Sequence, residues 1–253
     1  MYESRKPRLG IGWRAKLGIL IPAINYVMEP EFNKMAPEGV SIHAARLKVS
    51  REEYGTEEKT IDYFMRMAKE VEREAEALGY VADVIAYGCT SGSFSLGKKW
   101  DEELIKRIEK AAQVPATTTS AAVCEALKEM DIKKLVLVTP YPEHVNRLEK
   151  DFLQSEGFEV VSIKSLECKI HGFQGEYPPH LVYRLAREAY VKEADGIFIS
   201  CTNLRTIEII ELLEHDVNKP VISSNTATFW KMLRMVDIHE PIKGYGQLLE
   251  KHL

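Results

Sequence analysis

A stretch that occurs twice constrains this chain more than any other feature. Ala82-Asp83-Val84-Ile85-Ala86-Tyr87-Gly88-Cys89-Thr90-Ser91 in the first half is matched by Ala194-Asp195-Gly196-Ile197-Phe198-Ile199-Ser200-Cys201-Thr202-Asn203 in the second. Both begin Ala-Asp, pass through a short apolar run and end in Cys-Thr with a small polar residue. The run has the length of a buried strand, and Cys-Thr falls where the strand hands over to a loop or helix. Open α/β sheets bind ligands at the carboxyl ends of their strands. Two thiols at two such ends therefore point to two halves facing one small molecule.

Two further landmarks repeat in the same order. Lys16-Leu17-Gly18-Ile19-Leu20-Ile21-Pro22 is echoed by Lys134-Leu135-Val136-Leu137-Val138-Thr139-Pro140, and Val114-Pro115 by Lys219-Pro220. An ordered triplet of strand signals points to duplication of a βα unit. Between the strands, apolar residues recur at helical spacing from Thr56 to Leu78 with Gly79 as a stop, from Lys98 to Ala112, and from Glu143 to Glu156 with Gly157 as a stop. Further helices are expected from Cys124 to Met130, His180 to Glu193, about Arg205 to Glu214, and Phe229 to Met235; Cys168 to Pro179 reads as a loop. Strands alternating with helices give parallel sheets covered on both faces. The expected fold is α/β with two Rossmann-like lobes related by a pseudo-twofold, residues 1–130 and 131–253, with room for the C-terminal segment to pack back on the first lobe.

Composition narrows the partner. With 253 residues, 45% hydrophobic and 28% charged, the chain matches an ordinary globular protein, and a net charge of −4 without a basic run speaks against a nucleic-acid surface. The charged start Met1–Arg8 leads into no signal-length apolar segment, and no stretch reaches membrane-spanning length, so a cytoplasmic protein without membrane contact is expected. Four cysteines without a CxxC pair favour neither a disulfide scaffold nor a zinc site, and no metal is expected.

A thiolate is a strong nucleophile and an adequate base, and its pKa falls at a helix amino terminus, where unpaired N–H groups point at it. Cys89 and Cys201 are each read as standing just before such a terminus. The same N–H groups, with the hydroxyls of Thr90, Ser91 and Thr202, suit a carboxylate. Chemistry at a carbon next to a carboxylate follows, one thiol on each face. The competing reading of a strand-end Cys is a small buried hydrophobe; the matched spacing favours function for Cys89 and Cys201, while Cys124 and Cys168 are assigned to packing. Asn25, straight after the first strand, either binds a carboxylate or serves as a turn residue. Tyr141, its counterpart after Pro140, either donates to an anion or packs. His171 in its Gly-containing loop is a site residue or, taken alone, a solvated one. His43, His144, His180, His215 and His239 show no metal spacing.

These residues resemble the maleate cis-trans isomerase and arylmalonate decarboxylase group of the aspartate/glutamate racemase superfamily. The matching stretches are Gly12 to Gly18, Asn25 with Val27 to Phe32, Tyr87 to Phe94, Ser200 to Thr206, Ser223 to Ala227 and Gly244-Tyr245-Gly246. The resemblance implies cofactor-independent catalysis on a small carboxylate between two lobes, in a homodimer. The decarboxylase branch typically carries glycine at the first Cys position, so two cysteines favour the isomerase or racemase type. By the same resemblance Cys89 adds to the double bond of a cis-dicarboxylate, the single bond rotates, and Cys201 is the acid/base. Asn25 and Tyr141 then hold carboxylates, with backbone N–H groups near Thr90, Ser91, Thr202 and Asn203. Ala23, Ile24 and Tyr26 around Asn25, and Ile170-His171-Gly172 where an Asn is usual, depart from the isomerase pattern at carboxylate-binding positions. A bulkier or less acidic substrate stays open, as do racemisation or decarboxylation next to a carboxylate and carboxylate binding without catalysis.

Overall fold

The computed structural model describes residues 10–253, so the charged start Met1–Arg8 lies outside the described residues. Two four-stranded parallel sheets carry the fold. The first runs in the order β2-β1-β3-β4, from β1 (Ala15–Pro22), β2 (Val40–Leu47), β3 (Val84–Tyr87) and β4 (Ala116–Thr118). The second repeats that order as β6-β5-β7-β8, from β5 (Lys134–Thr139), β6 (Glu159–Ser165), β7 (Gly196–Ile199) and β8 (Val221–Ser223). The central strands are buried almost throughout, which explains their unbroken apolar runs.

The duplicated Ala-Asp proves to be a register device. Asp83 accepts from the backbone N–H of Lys16 at 2.9 Å, and its own N–H donates to the Lys16 carbonyl at 2.8 Å. Asp195 does the same at the start of β5, accepting from Lys134 at 2.8 Å and Lys133 at 3.1 Å. Pro115 and Pro220 are equivalent too: their carbonyls accept from Ile85 and Ile197, each at 3.0 Å. Each landmark pair thus fixes the same ladder position in its sheet, and both copies of Cys-Thr emerge at the same end.

The helices follow the periodicity, with instructive exceptions. α5 (Lys98–Ala112) has the expected bounds, burying Asp101, Leu104, Ile108 and Ala112. α7 (Glu143–Ser155) is likewise close to expectation. The single helix expected from Thr56 to Leu78 divides into α2 (Glu57–Ala68) and α3 (Val71–Gly79). The N–H groups of Lys69 and Glu70 turn back to Arg66 and Met67, a tight last turn that re-aims the chain without Gly or Pro. α9 (Ile210–Val217) starts later than expected because Glu31 captures the N–H groups of Thr206 and Ile207, at 2.8 and 3.4 Å. α10 (Ser224–Met235) starts earlier, capped by Ser223 and Thr226 reciprocally.

The two sheets are stitched together. α10 packs against α6 (Thr119–Glu129), where Thr228 donates to Thr119 at 3.2 Å, and Phe229 meets Phe32 of α1 (Met28–Met35) edge-on at 5.0 Å. Arg14 forms a bidentate pair with Glu240, at 2.6 and 2.9 Å. No helix among the described residues is long and apolar enough to cross a membrane.

Candidate active site

The ends of β1, β3, β5 and β7 converge on one cavity. Asn25 follows β1, Cys89 with Thr90 and Ser91 follows β3, Tyr141 follows β5, and Cys201 with Thr202 and Asn203 follows β7; all of them line the cavity, as does His171. The expectation that the two thiols face one space is met in the geometry. The cavity measures about 40 Å³, room for about three waters. Its lining residues include no Lys or Arg, so the polar groups an anion meets there are amides, hydroxyls, thiols and the His171 imidazole.

The two thiols are held differently. Cys89 is the N-cap of α4 (Thr90–Phe94), with φ −144°, and its sulfur is approached by the Gly92 N–H and the Ser91 hydroxyl, the latter at 3.9 Å. Cys201 has φ +96°, a conformation L residues rarely adopt and one that costs about 1–3 kcal/mol. It is followed by a turn rather than by the expected helix. Its N–H donates to Ser224 Oγ at 3.0 Å, and its sulfur is approached by the Tyr141 hydroxyl and the Asn203 N–H. The expected low thiol pKa is not found. Burial pushes Cys89 up to about 11 and Cys201 up to about 12, and the hydrogen bonds only partly offset it.

Several expected carboxylate ligands have structural partners. Asn25 Oδ1 accepts from Val27 and Met28 N–H at 3.0 and 3.1 Å, turning the chain into α1, while its Nδ2 donates to Thr202 Oγ1 at 3.0 Å. The Thr202 hydroxyl donates onward to the Gly88 carbonyl at 3.0 Å. The Thr90 hydroxyl donates to Ser224 at 2.9 Å. Asn203 accepts from Tyr26 N–H at 3.1 Å and donates to the Gly172 carbonyl at 3.3 Å. These side chains cross-link the two halves around the cavity, and the hydroxyls of Thr90 and Thr202 already donate elsewhere.

His171 is not solvated. It is 4% exposed, stacked on Tyr63 at 3.9 Å and on Tyr54 at 3.7 Å, and its Nε2 is buried without a protein partner. Burial first, then Arg66 and His144, hold its pKa down to about 3, so the ring is neutral. Of the departures around Asn25, Ile24 lines the cavity, whereas Tyr26 turns away and donates its hydroxyl to Glu176 at 2.8 Å. Cys124 and Cys168 are buried as expected.

Sequence reasoning missed the wall formed by Tyr54, Tyr63, Phe64 and Gln174. Gln174 donates to the Tyr54 hydroxyl at 2.8 Å, fixing that ring over the cavity. It also missed Ser224, which joins Thr90 to the Cys201 backbone, and Glu31, which holds the chain after Cys201. Ser224 opens the helix that follows the second Pro landmark, as Thr119 does after the first, and that repeat was the available signal.

Fold and site together define an α/β protein with two equivalent sheets and a thiol from each half in one anion-sized cavity. The arylmalonate decarboxylase family model matches residues 17–249, and the chain belongs to that family. It is similar to the maleate isomerase of Pseudomonas putida, 26% identical over 250 residues that cover 92% of this chain and 96% of that protein. It is also similar to the arylmalonate decarboxylase of Bordetella bronchiseptica, 28% identical over 173 residues covering 67% and 72%. A solved structure of Nocardia farcinica maleate cis-trans isomerase, a mutant with a covalently bound succinylcysteine intermediate, shares the fold with a TM-score of 0.85 at 21% identity, covering 94% of this chain and 98% of that one.

Proposed function

We propose that this protein is a cofactor-independent cis-trans isomerase of a small dicarboxylate of the maleate type, with Cys89 as nucleophile and Cys201 as acid/base. The observation that carries this reading is the pair of strand-end thiols lining one small cavity. The Cys89 thiolate adds to one alkene carbon while Cys201 gives its proton to the other. The former double bond is now single and rotates. Cys201 takes the proton back, the C–S bond breaks, and the trans acid leaves with both sulfurs restored. A succinylcysteine is the adduct such an addition to maleate forms.

Asn25, Ser91 and the N–H groups beside Thr90, Thr202 and Asn203 receive the carboxylates, Tyr141 lines the same pocket with its hydroxyl engaged by Cys201 and Ser200 rather than by a carboxylate, and neutral His171 donates or accepts through its free Nε2. The small cavity favours a compact acid over a bulky one. The functional halves are residues 1–130 and 131–253, and the active form is a cytoplasmic homodimer. A reducing compartment suits four free cysteines. Proton NMR of the purified protein with maleate is the test: fumarate forms with wild type and not with Cys89→Ala. Unchanged maleate with wild type overturns the reading. Light scattering checks the dimer.

A further inference from the structure

Behind Cys201 lies a buried acid that the thiol chemistry above leaves unused. Glu149 on α7 is 1% exposed. Its Oε1 accepts from the Ser200 hydroxyl at 2.5 Å, and its Oε2 is buried without a protein partner. Ser200 reaches the Tyr141 hydroxyl, and Tyr141 reaches the Cys201 sulfur. Four side chains from two strand-to-helix segments thus follow one another, carboxyl to hydroxyl to hydroxyl to thiol, the first link a short hydrogen bond and the next two close approaches of the Tyr141 hydroxyl. Glu149 also borders a second cavity of about 10 Å³ with Thr90, Phe94, Ser120, Val123, Phe152 and Phe198, none of them charged. The titratable group facing Glu149 across this packing is Tyr141, with Cys201 beyond it.

A row of hydroxyls can point either way. With Glu149 protonated, it donates to Ser200, Ser200 to Tyr141, and Tyr141 to Cys201, so a thiolate at Cys201 receives a hydrogen bond. With Glu149 ionised, Ser200 donates to the carboxylate, Tyr141 to Ser200, and the Cys201 S–H to Tyr141, so the thiol is held protonated. We propose that Glu149 is a positioning residue that sets the direction of the Ser200–Tyr141–Cys201 hydrogen-bond line and thereby the ease with which Cys201 gives up its proton. The two states differ by one proton on Glu149 and the flip of two hydroxyls, and no other reactant is needed. The proposal rests on the reading of Cys201 as the acid/base. Burial raises the Glu149 carboxyl to about 8, so the line points toward Cys201 through neutral pH and reverses above it.

The test reads the thiols without any substrate. Rates of iodoacetamide labelling at Cys201 and Cys89 are measured separately by peptide mass spectrometry from pH 6 to 10, in wild type, Glu149→Gln, Ser200→Ala and each combined with Tyr141→Phe. The amide of the Glu149→Gln variant has no proton to lose in this range, and Ser200→Ala cuts the line. In either variant Cys201 therefore labels about five- to tenfold faster than wild type at pH 9, a change that corresponds to about 0.7 to 1 pKa unit. Cys89 stays within twofold, and Tyr141→Phe abolishes the difference. Equal Cys201 profiles in wild type and both variants overturn the proposal, as does equal acceleration at both thiols, which is the sign of a loosened core. Inactivity toward maleate with the labelling shift intact faults the substrate reading alone.

Discussion

Replacing Glu149 by Gln tests how a buried acid sets stability against pH. The carboxyl is lifted from its ordinary 4.5 to about 8 by burial. Between those values the unfolded chain has lost the proton and the folded chain keeps it, so wild-type stability falls as pH rises from about 4.5 and levels off above about 8. Three and a half pH units at about 1.4 kcal/mol each give about 5 kcal/mol in full, most of which develops between pH 5 and 8. Glutamine carries no such penalty, but with its NH₂ donating to Ser200 its amide oxygen inherits the unpartnered position of Oε2, a constant cost of about 1–3 kcal/mol. The Gln variant is therefore about equal to or slightly weaker than wild type at pH 5 and more stable at pH 8. The constant term cancels in the slope. Urea unfolding followed by circular dichroism at pH 5, 6, 7 and 8, with m-values compared for constancy, measures it. A variant-minus-wild-type difference that stays flat within about 1 kcal/mol across this range refutes the reasoning, because it means that Glu149 is ionised in the folded protein at pH 5.

Other outcomes are expected from single positions. His171, held down from 6.5 to about 3, stays neutral in the fold while the unfolded chain takes up a proton, so it stabilises fully above pH 6.5 and loses this as pH falls toward 3. His171→Phe keeps the stack with Tyr63 and flattens that acid limb in melts from pH 4 to 7; an unchanged limb counts against a buried neutral ring. Because Cys201 adopts φ +96°, Cys201→Gly is about 1 kcal/mol more stable than Cys201→Ala once the entropy of Gly is offset, a gap of about 2–4 °C in melting temperature. Gly92→Ala would set a methyl 2.5 Å from the Tyr87 hydroxyl and 3.1 Å from Cys89 Sγ, so it destabilises by about 1–3 kcal/mol and slows Cys89 labelling.

Much of the scaffold was legible because it rests on local patterns. Apolar runs ending in Pro or Cys-Thr marked the strands, and repetition of three landmarks gave two matching sheets before any coordinates. The misses have tertiary causes. Nothing near Lys69 breaks a helix locally; packing of α2 over the cavity and α3 beneath β1 does. The late start of α9 depends on Glu31, far away in sequence. Within the site, residue types and strand-end positions were readable, but partners were not: Thr202 looked like a substrate hydroxyl and bonds Asn25 and Gly88. The thiol pKa direction failed for a similar reason, since a helix start predicts a lower value while enclosure by Tyr54, Tyr63, Phe64 and His171 acts the other way. Segment 50–56 has no period to read, so Tyr54 gave no sign of reaching the cavity.

The backbone at the two thiols also carries a history. One copy of the motif leads from its sulfur straight into a helix with relaxed torsions, while the other bends through a conformation that ordinary side chains avoid. A gene duplication starts with interchangeable twins, and here the twins have parted at the very atoms they share. Whatever molecule sits between them meets two unlike hands, so the direction of approach is built into the peptide chain and not only into the side chains it displays.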